Sequence, residues 1–110
     1  MMRFISEAPI SKDAALAALQ SGDRERICHA LASVALYEND WRWAQGVFLK
    51  LLDSSDEEVS ALSATCLGHL ARIHRKIDKD IVIPALRAHL KDIRISGIVS
   101  DALDDVDMFA

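Results

Sequence analysis

Apolar side chains recur along this chain every three or four residues, the spacing that lines one face of an α-helix rather than the alternation of a half-buried strand. Ala15, Leu16 and Leu19 define a first helix over 12–20, with Ser11 as its cap and Ser21-Gly22 as its stop. Short polar side chains such as Ser and Asp cap helices because their oxygens accept from N–H groups that the first turn leaves unpaired; glycine ends them by taking the left-handed conformation. Asp23 caps a second helix over 24–37 that turns Ile27, Ala30, Leu31, Val34 and Ala35 inward. Asp40 caps a third over 41–52, which buries Trp41, Ala44, Phe48, Leu51 and Leu52. Ser55 or Asp56 caps a fourth over 57–73, carried by Val59, Leu62, Cys66, Leu67 and Leu70. Its first turn holds Glu57 and Glu58 and its end Arg72, His74, Arg75 and Lys76, each sign where the helix dipole favours it. Asp78 caps a fifth over 79–91, where Pro84 lies too deep for its missing N–H to be harmless and predicts a kink or a late start. A sixth over 94–109 carries Ile95, Ile98, Val99, Ala102, Leu103 and Val106.

The even-numbered helices superpose. An offset of 36 residues lays Ile95, Ile98, Ala102, Leu103, Val106 and Phe109 on Val59, Leu62, Cys66, Leu67, Leu70 and Ile73, and the same step lays Cys66, Leu67 and Leu70 on Ala30, Leu31 and Val34. Ala44, Phe48 and Leu52 match Val82, Leu86 and Leu90 at an offset of 38. One helical hairpin cannot bury its own apolar face, so hairpins recurring at such a period stack into an α-solenoid. The expected fold is therefore all-α: a single domain over 1–110 built as an α-solenoid of three helical hairpins, with helices 1, 3 and 5 outside and 2, 4 and 6 inside.

The stretch Leu51-Leu52-Asp53-Ser54-Ser55-Asp56-Glu57-Glu58-Val59, followed by Ala64, Leu67-Gly68 and Leu70-Ala71, resembles the core of a HEAT repeat of the armadillo-like α-solenoids. The likeness is close over 41–74 and looser over 79–109. Over 11–38, Gly22-Asp23 stands in for the Asp turn and the inner helix lacks the glycine. The resemblance implies inner helices that line a concave surface and a role in binding, with little said of which partner. In the 36-residue register, Thr65, Gly68 and His69 take the places of Asp101, Asp104 and Asp105, with His29, Ala32 and Ser33 on the first inner helix. Gly68 and Ala32 are expected to flatten the middle of that surface.

Composition narrows the chemistry. The chain has 110 residues, 51% hydrophobic, with four Gly and two Pro, which excludes a disordered or collagen-like chain. Seventeen acidic and thirteen basic side chains leave a net charge of −4, the wrong sign for neutralising phosphates, so nucleic acid is not an expected partner. No apolar run approaches the ~18 residues of a membrane span, and the start Met1-Met2-Arg3-Phe4-Ile5-Ser6-Glu7 lacks a signal peptide's apolar stretch, so no membrane and a cytoplasmic location are expected. Cys28 and Cys66 sit inside apolar helical runs and read as core thiols. His29, His69, His74 and His89 form no zinc signature. A triad of Ser63, His69 and Asp56 or Asp105 has neither nucleophile elbow nor glycine-rich anion loop around it. The expectation is a protein that is not an enzyme and that uses no cofactor and no metal.

Charge and aromatics point to binding. Residues 1–91 carry twelve basic and twelve acidic side chains, whereas 92–110 carry Asp92, Asp101, Asp104, Asp105 and Asp107 against Arg94 alone. Asp101, Asp104 and Asp105 share one face of the last helix, and each like-charge pair at that spacing costs about 0.2–0.5 kcal/mol. They form either a solvated cap on the array or a docking face. Trp41 and Trp43 lie about 200° apart on a helix, so one faces inward and the other outward or into a groove between helices. An outward Trp beside Asp40 and Arg42 has the make-up of an interface anchor. In size and acidity the chain also resembles small HEAT-like cytosolic immunity proteins that neutralise bacterial polymorphic toxins, many of them basic nucleases. That resemblance implies a non-catalytic protein that binds and occludes a basic protein partner, its aspartates standing in for phosphates. The candidate contact residues are Asp101, Asp104, Asp105, His69, Arg72 and Trp43. The alternative is a general adaptor that docks an enzyme subunit or assembly factor through the Trp41–Trp43 anchor; the oligomeric state stays open.

Overall fold

The computed structural model describes residues 8–110. Every regular element among them is helical: α1 (Lys12–Leu19), α2 (Arg24–Tyr37), α3 (Trp41–Leu52), α4 (Glu57–His74), α5 (Lys79–Ala88), a single 3₁₀ turn (His89–Lys91) and α6 (Ser96–Phe109). Successive helices pair as hairpins, and α4 lies at the centre, against its partner α3 on one side and between α2 and α6 on the others. Phe48, Leu31, Leu52, Leu67, Leu70, Leu86 and Val99 are sealed in the core that this arrangement encloses.

Local chemistry places most of the boundaries. The Ser11 hydroxyl oxygen accepts from Ala14 N–H at 3.0 Å, Asp23 from Glu25 at 3.0 Å and Asp40 from Trp43 at 3.1 Å. Asp56, not Ser55, caps α4, accepting from Glu58 at 3.0 Å and Val59 at 3.3 Å. Gly22 takes φ +75° between α1 and α2, the left-handed conformation that glycine adopts without cost.

Four expectations change. Asp78 sits at the N-cap position of α5 but caps nothing with its side chain, because that carboxylate is engaged by α3. The helix continues through Pro84 to Ala88 and then tightens into the 3₁₀ turn rather than running on to Lys91. α6 begins at Ser96, two residues later than its periodicity suggests: Asp92 accepts from Arg94 N–H at 3.1 Å and clasps the Arg94 guanidinium, which holds that stretch in a turn. Leu16 and Ile98 are exposed rather than buried. At 40% and 38% exposure, each lies at the edge of its helix's packed face.

The caps also join the hairpins. Lys12 Nζ of α1 meets the α3 cap Asp40 at 2.6 Å, and Arg24 of α2 meets the α4 cap Asp56 at 2.7 Å and Glu58 at 3.3 Å. At the third step Gln45 of α3 donates to the Asp78 carboxylate at 2.9 Å and accepts the Asp78 N–H at 2.7 Å, with Arg42 3.5 Å away. Each later hairpin is thus held by the acid that starts one of its own helices. These partners, Lys12, Arg24 and the Gln45 amide respectively, hold the Asp40, Asp56 and Asp78 carboxyls below their ordinary range. His89 and Asp53 (2.9 Å) and Arg94 and Glu57 (3.7 Å) add cross-links between the second and third hairpins.

Candidate functional site

The three even-numbered helices form one layer. Cys66 Sγ of α4 lies 3.8 Å from the Leu31 carbonyl of α2, Arg72 Nε of α4 4.0 Å from Asp105 Oδ2 of α6, and the Arg75 guanidinium 5.4 Å from the centre of the Phe109 ring. Positions 33–35 residues apart are therefore neighbours, close to the 36-residue offset of the sequence. One side of α4 packs on α3: the Ser60 hydroxyl donates to the Leu52 carbonyl at 2.7 Å, and Ser63, Ala64, Leu67 and Ala71 are buried with it. The opposite side carries Thr65, His69 and Arg72 at or near solvent, and this free face of the inner layer is the candidate site.

Five of the six expected contact residues belong to that layer. Asp101 and Asp104 are exposed on α6, and neither they nor Asp107 make an ion pair or hydrogen bond to the described residues. Asp105 turns toward α4 and is half-buried beside Arg72. His69 is half-buried, and its Nε2 is closed off from solvent with no hydrogen-bond partner among the described residues. Burial, ahead of the nearby Arg72 charge, pushes the His69 imidazole below its ordinary pKa, while Asp105 pulls the other way. Gly68 does not flatten an open surface as expected. It is buried, and a Cβ there would lie 3.2 Å from the Ala102 Cα and 2.9 Å from Asp105 Oδ2, so its role is to let α6 approach α4. Ala32 is buried likewise.

Trp43 stands apart from this group, on α3 of the outer layer. Neither tryptophan is fully inward or fully outward: both are half-buried and packed against the core, with Lys12 Nζ 5.3 Å from the Trp43 ring centre and Arg42 4.7 Å from that of Trp41. Two residues of separation forbid a shared face, yet each ring has a cation over it, Lys12 of α1 on Trp43 and Arg42 of α3 itself on Trp41. Ser63 is buried, its hydroxyl donating to Val59 of its own helix at 2.8 Å.

Sequence reasoning missed one feature of the free face. Tyr37, Ile73 and Phe109 are spaced by 36 residues and end α2, α4 and α6 in equivalent places; Ile73 is 58% exposed, and Met108, beside Phe109, is 73% exposed. The 36-residue offset paired Ile73 with Phe109 but placed neither at solvent. A separate groove of about 570 Å³ opens between α1 and α2, with Ala14, Ala18, Glu25, Arg26 and His29 in its walls.

No family model and no curated protein matches the chain. A chain in the crystal structure of a CDI complex from Cupriavidus taiwanensis LMG 19424 is similar over 99% of this chain and 98% of its own length, with 32% sequence identity and a TM-score of 0.87.

Proposed function

This chain belongs to the same family as that chain of the Cupriavidus taiwanensis CDI complex, and from that premise we propose that it is the immunity partner of a contact-dependent inhibition pair, a non-catalytic protein that binds and occludes a protein toxin. The observation that carries the reading is likeness along essentially the whole of both chains at 32% identity, to a protein described as part of a complex. The proposed partner is basic. In support, the whole net charge of the sequence lies in its last nineteen residues, and Asp101, Asp104 and Asp107 have no compensating cation among the described residues, whereas the cap-position aspartates Asp40, Asp56 and Asp78 are paired across hairpins. Unpaired like charge on one helix disfavours the free protein slightly and favours encounter with a cationic surface, chiefly through the association rate. Asp105, Arg72 and His69 would border the same contact. The HEAT-like register supports the geometry, since it lays the inner helices side by side as a continuous face. A general adaptor anchored by Trp41 and Trp43 is less well supported, because cations already cover both rings.

The test is calorimetric titration of this chain with the protein encoded by the adjacent reading frame, at low and high salt. Binding that weakens as salt rises, and an Asp101→Asn/Asp104→Asn/Asp107→Asn variant that binds more weakly and with less salt dependence, is the expected result. Undiminished binding by the triple variant refutes acidic docking, and no binding by the unmodified chain refutes the immunity reading.

A further inference from the structure

The free face of the inner layer combines the unpaired aspartates with an apolar row, and resting on the reading above we propose that this row, centred on Ile73 and Met108, is the desolvated core of the contact with the toxin. Tyr37 is 43% exposed, Ile73 58% and Met108 73%, whereas Val59, Leu67 and Leu70 of α4 and Val99 and Val106 of α6 are sealed. All three stand in the last turn or at the last residue of an inner helix, and contacts between residues 33–35 apart set those helices side by side. Phe109 completes the row, half-buried beneath the Arg75 guanidinium. Arg75 reaches that position from a left-handed backbone, φ +53°, which a non-glycine residue adopts at a cost.

Charge decides which occupant fits. Met108 is preceded by Asp104 one turn back and by Asp107 next to it, and α6 contains no lysine or arginine at all. A segment that lays an apolar side chain on Ile73 and Met108 therefore meets carboxylates at its α6 side, and complements them only if it carries lysine or arginine there. Apolar centres ringed by charge are the usual anatomy of a specific interface, with most affinity in the centre and most salt dependence at the rim. The row thus specifies a toxin segment with an aliphatic or aromatic side chain beside basic residues.

Ile73→Ser and Met108→Ser test this in the same titration with the protein of the adjacent reading frame. Both side chains are exposed in the free chain, so each variant is expected to melt with the parent, while binding about tenfold more weakly and equally so at low and high salt. The aspartate triple variant carries the opposite signature, a loss confined to low salt. Parental affinity in both serine variants overturns the apolar row and leaves the immunity reading standing; failure of the unmodified chain to bind overturns both. A dimer of the free chain in light scattering that Ile73→Ser dissolves also overturns it, because the row would then belong to a second copy.

Discussion

Two mid-helix glycines, Gly46 exposed and Gly68 buried, are expected to respond to alanine differently. Gly46 lies mid-helix in α3 with nothing within 4 Å of where a Cβ would go. Alanine there removes backbone freedom from the unfolded chain, a gain of about 0.8–1 kcal/mol, which for a domain of this size raises the melting temperature by about 4–8 °C per kcal/mol. Gly68 lies mid-helix in α4, and its Cβ would come within 2.9 Å of Asp105 Oδ2, 3.3 Å of Asp105 Cβ and 3.2 Å of the Ala102 Cα. The carboxylate can swing aside at little cost. The α6 backbone cannot, and must recede by a few tenths of an ångström along the contact that holds the last hairpin. Overpacking of that kind costs about 1–3 kcal/mol, so the intrinsic gain is cancelled or reversed: Gly68→Ala is expected to fall between no change and a loss of about 2 kcal/mol. Urea and thermal unfolding followed by circular dichroism measure both variants. A Gly68→Ala protein as stabilised as Gly46→Ala would mean that α6 is not pressed against α4, and the packing argument would fail.

Four further outcomes follow from the same geometry. Gln45→Met keeps the buried volume but deletes both hydrogen bonds to Asp78, and is expected to cost about 1–2 kcal/mol in urea unfolding, whereas Lys12→Met, at an exposed ion pair, lowers the midpoint much less. His69 has a folded pKa below its ordinary 6.5, so the native state binds fewer protons than the unfolded one, and its contribution is present above that value and lost as pH falls below it; His69→Gln should flatten the stability profile in that window if burial is the cause. A second loss is expected in stronger acid, as pH falls from the ordinary carboxyl value of 3.8 through the lowered values of Asp40, Asp56 and Asp78. With a thiol reagent, half-buried Cys28 should label in the native protein, slowly because burial and the nearby Glu58 and Asp56 raise its pKa; buried Cys66 should label only on unfolding, which mass spectrometry of the modified peptides would report.

Helix existence, the boundaries of α2 and α3, and the caps Ser11, Asp23 and Asp40 follow from the sequence because each rests on groups two or three residues apart, within reach before any tertiary contact forms; for α4 the sequence left Ser55 and Asp56 as alternatives. The 36-residue offset likewise contains the side-by-side register of α2, α4 and α6, since equal helices with equal faces stack in equal places. What a side chain does across hairpins was decided only in three dimensions. Asp78 has the sequence of a cap, yet Gln45, 33 residues earlier, takes its carboxylate; Gly68 reads as a flat spot and is instead the point where α6 comes closest. Periodicity reports which face of a helix is apolar but not whether a neighbour exists to cover it. That is why Leu16 and Ile98, both read as core positions, are 40% and 38% exposed among the described residues.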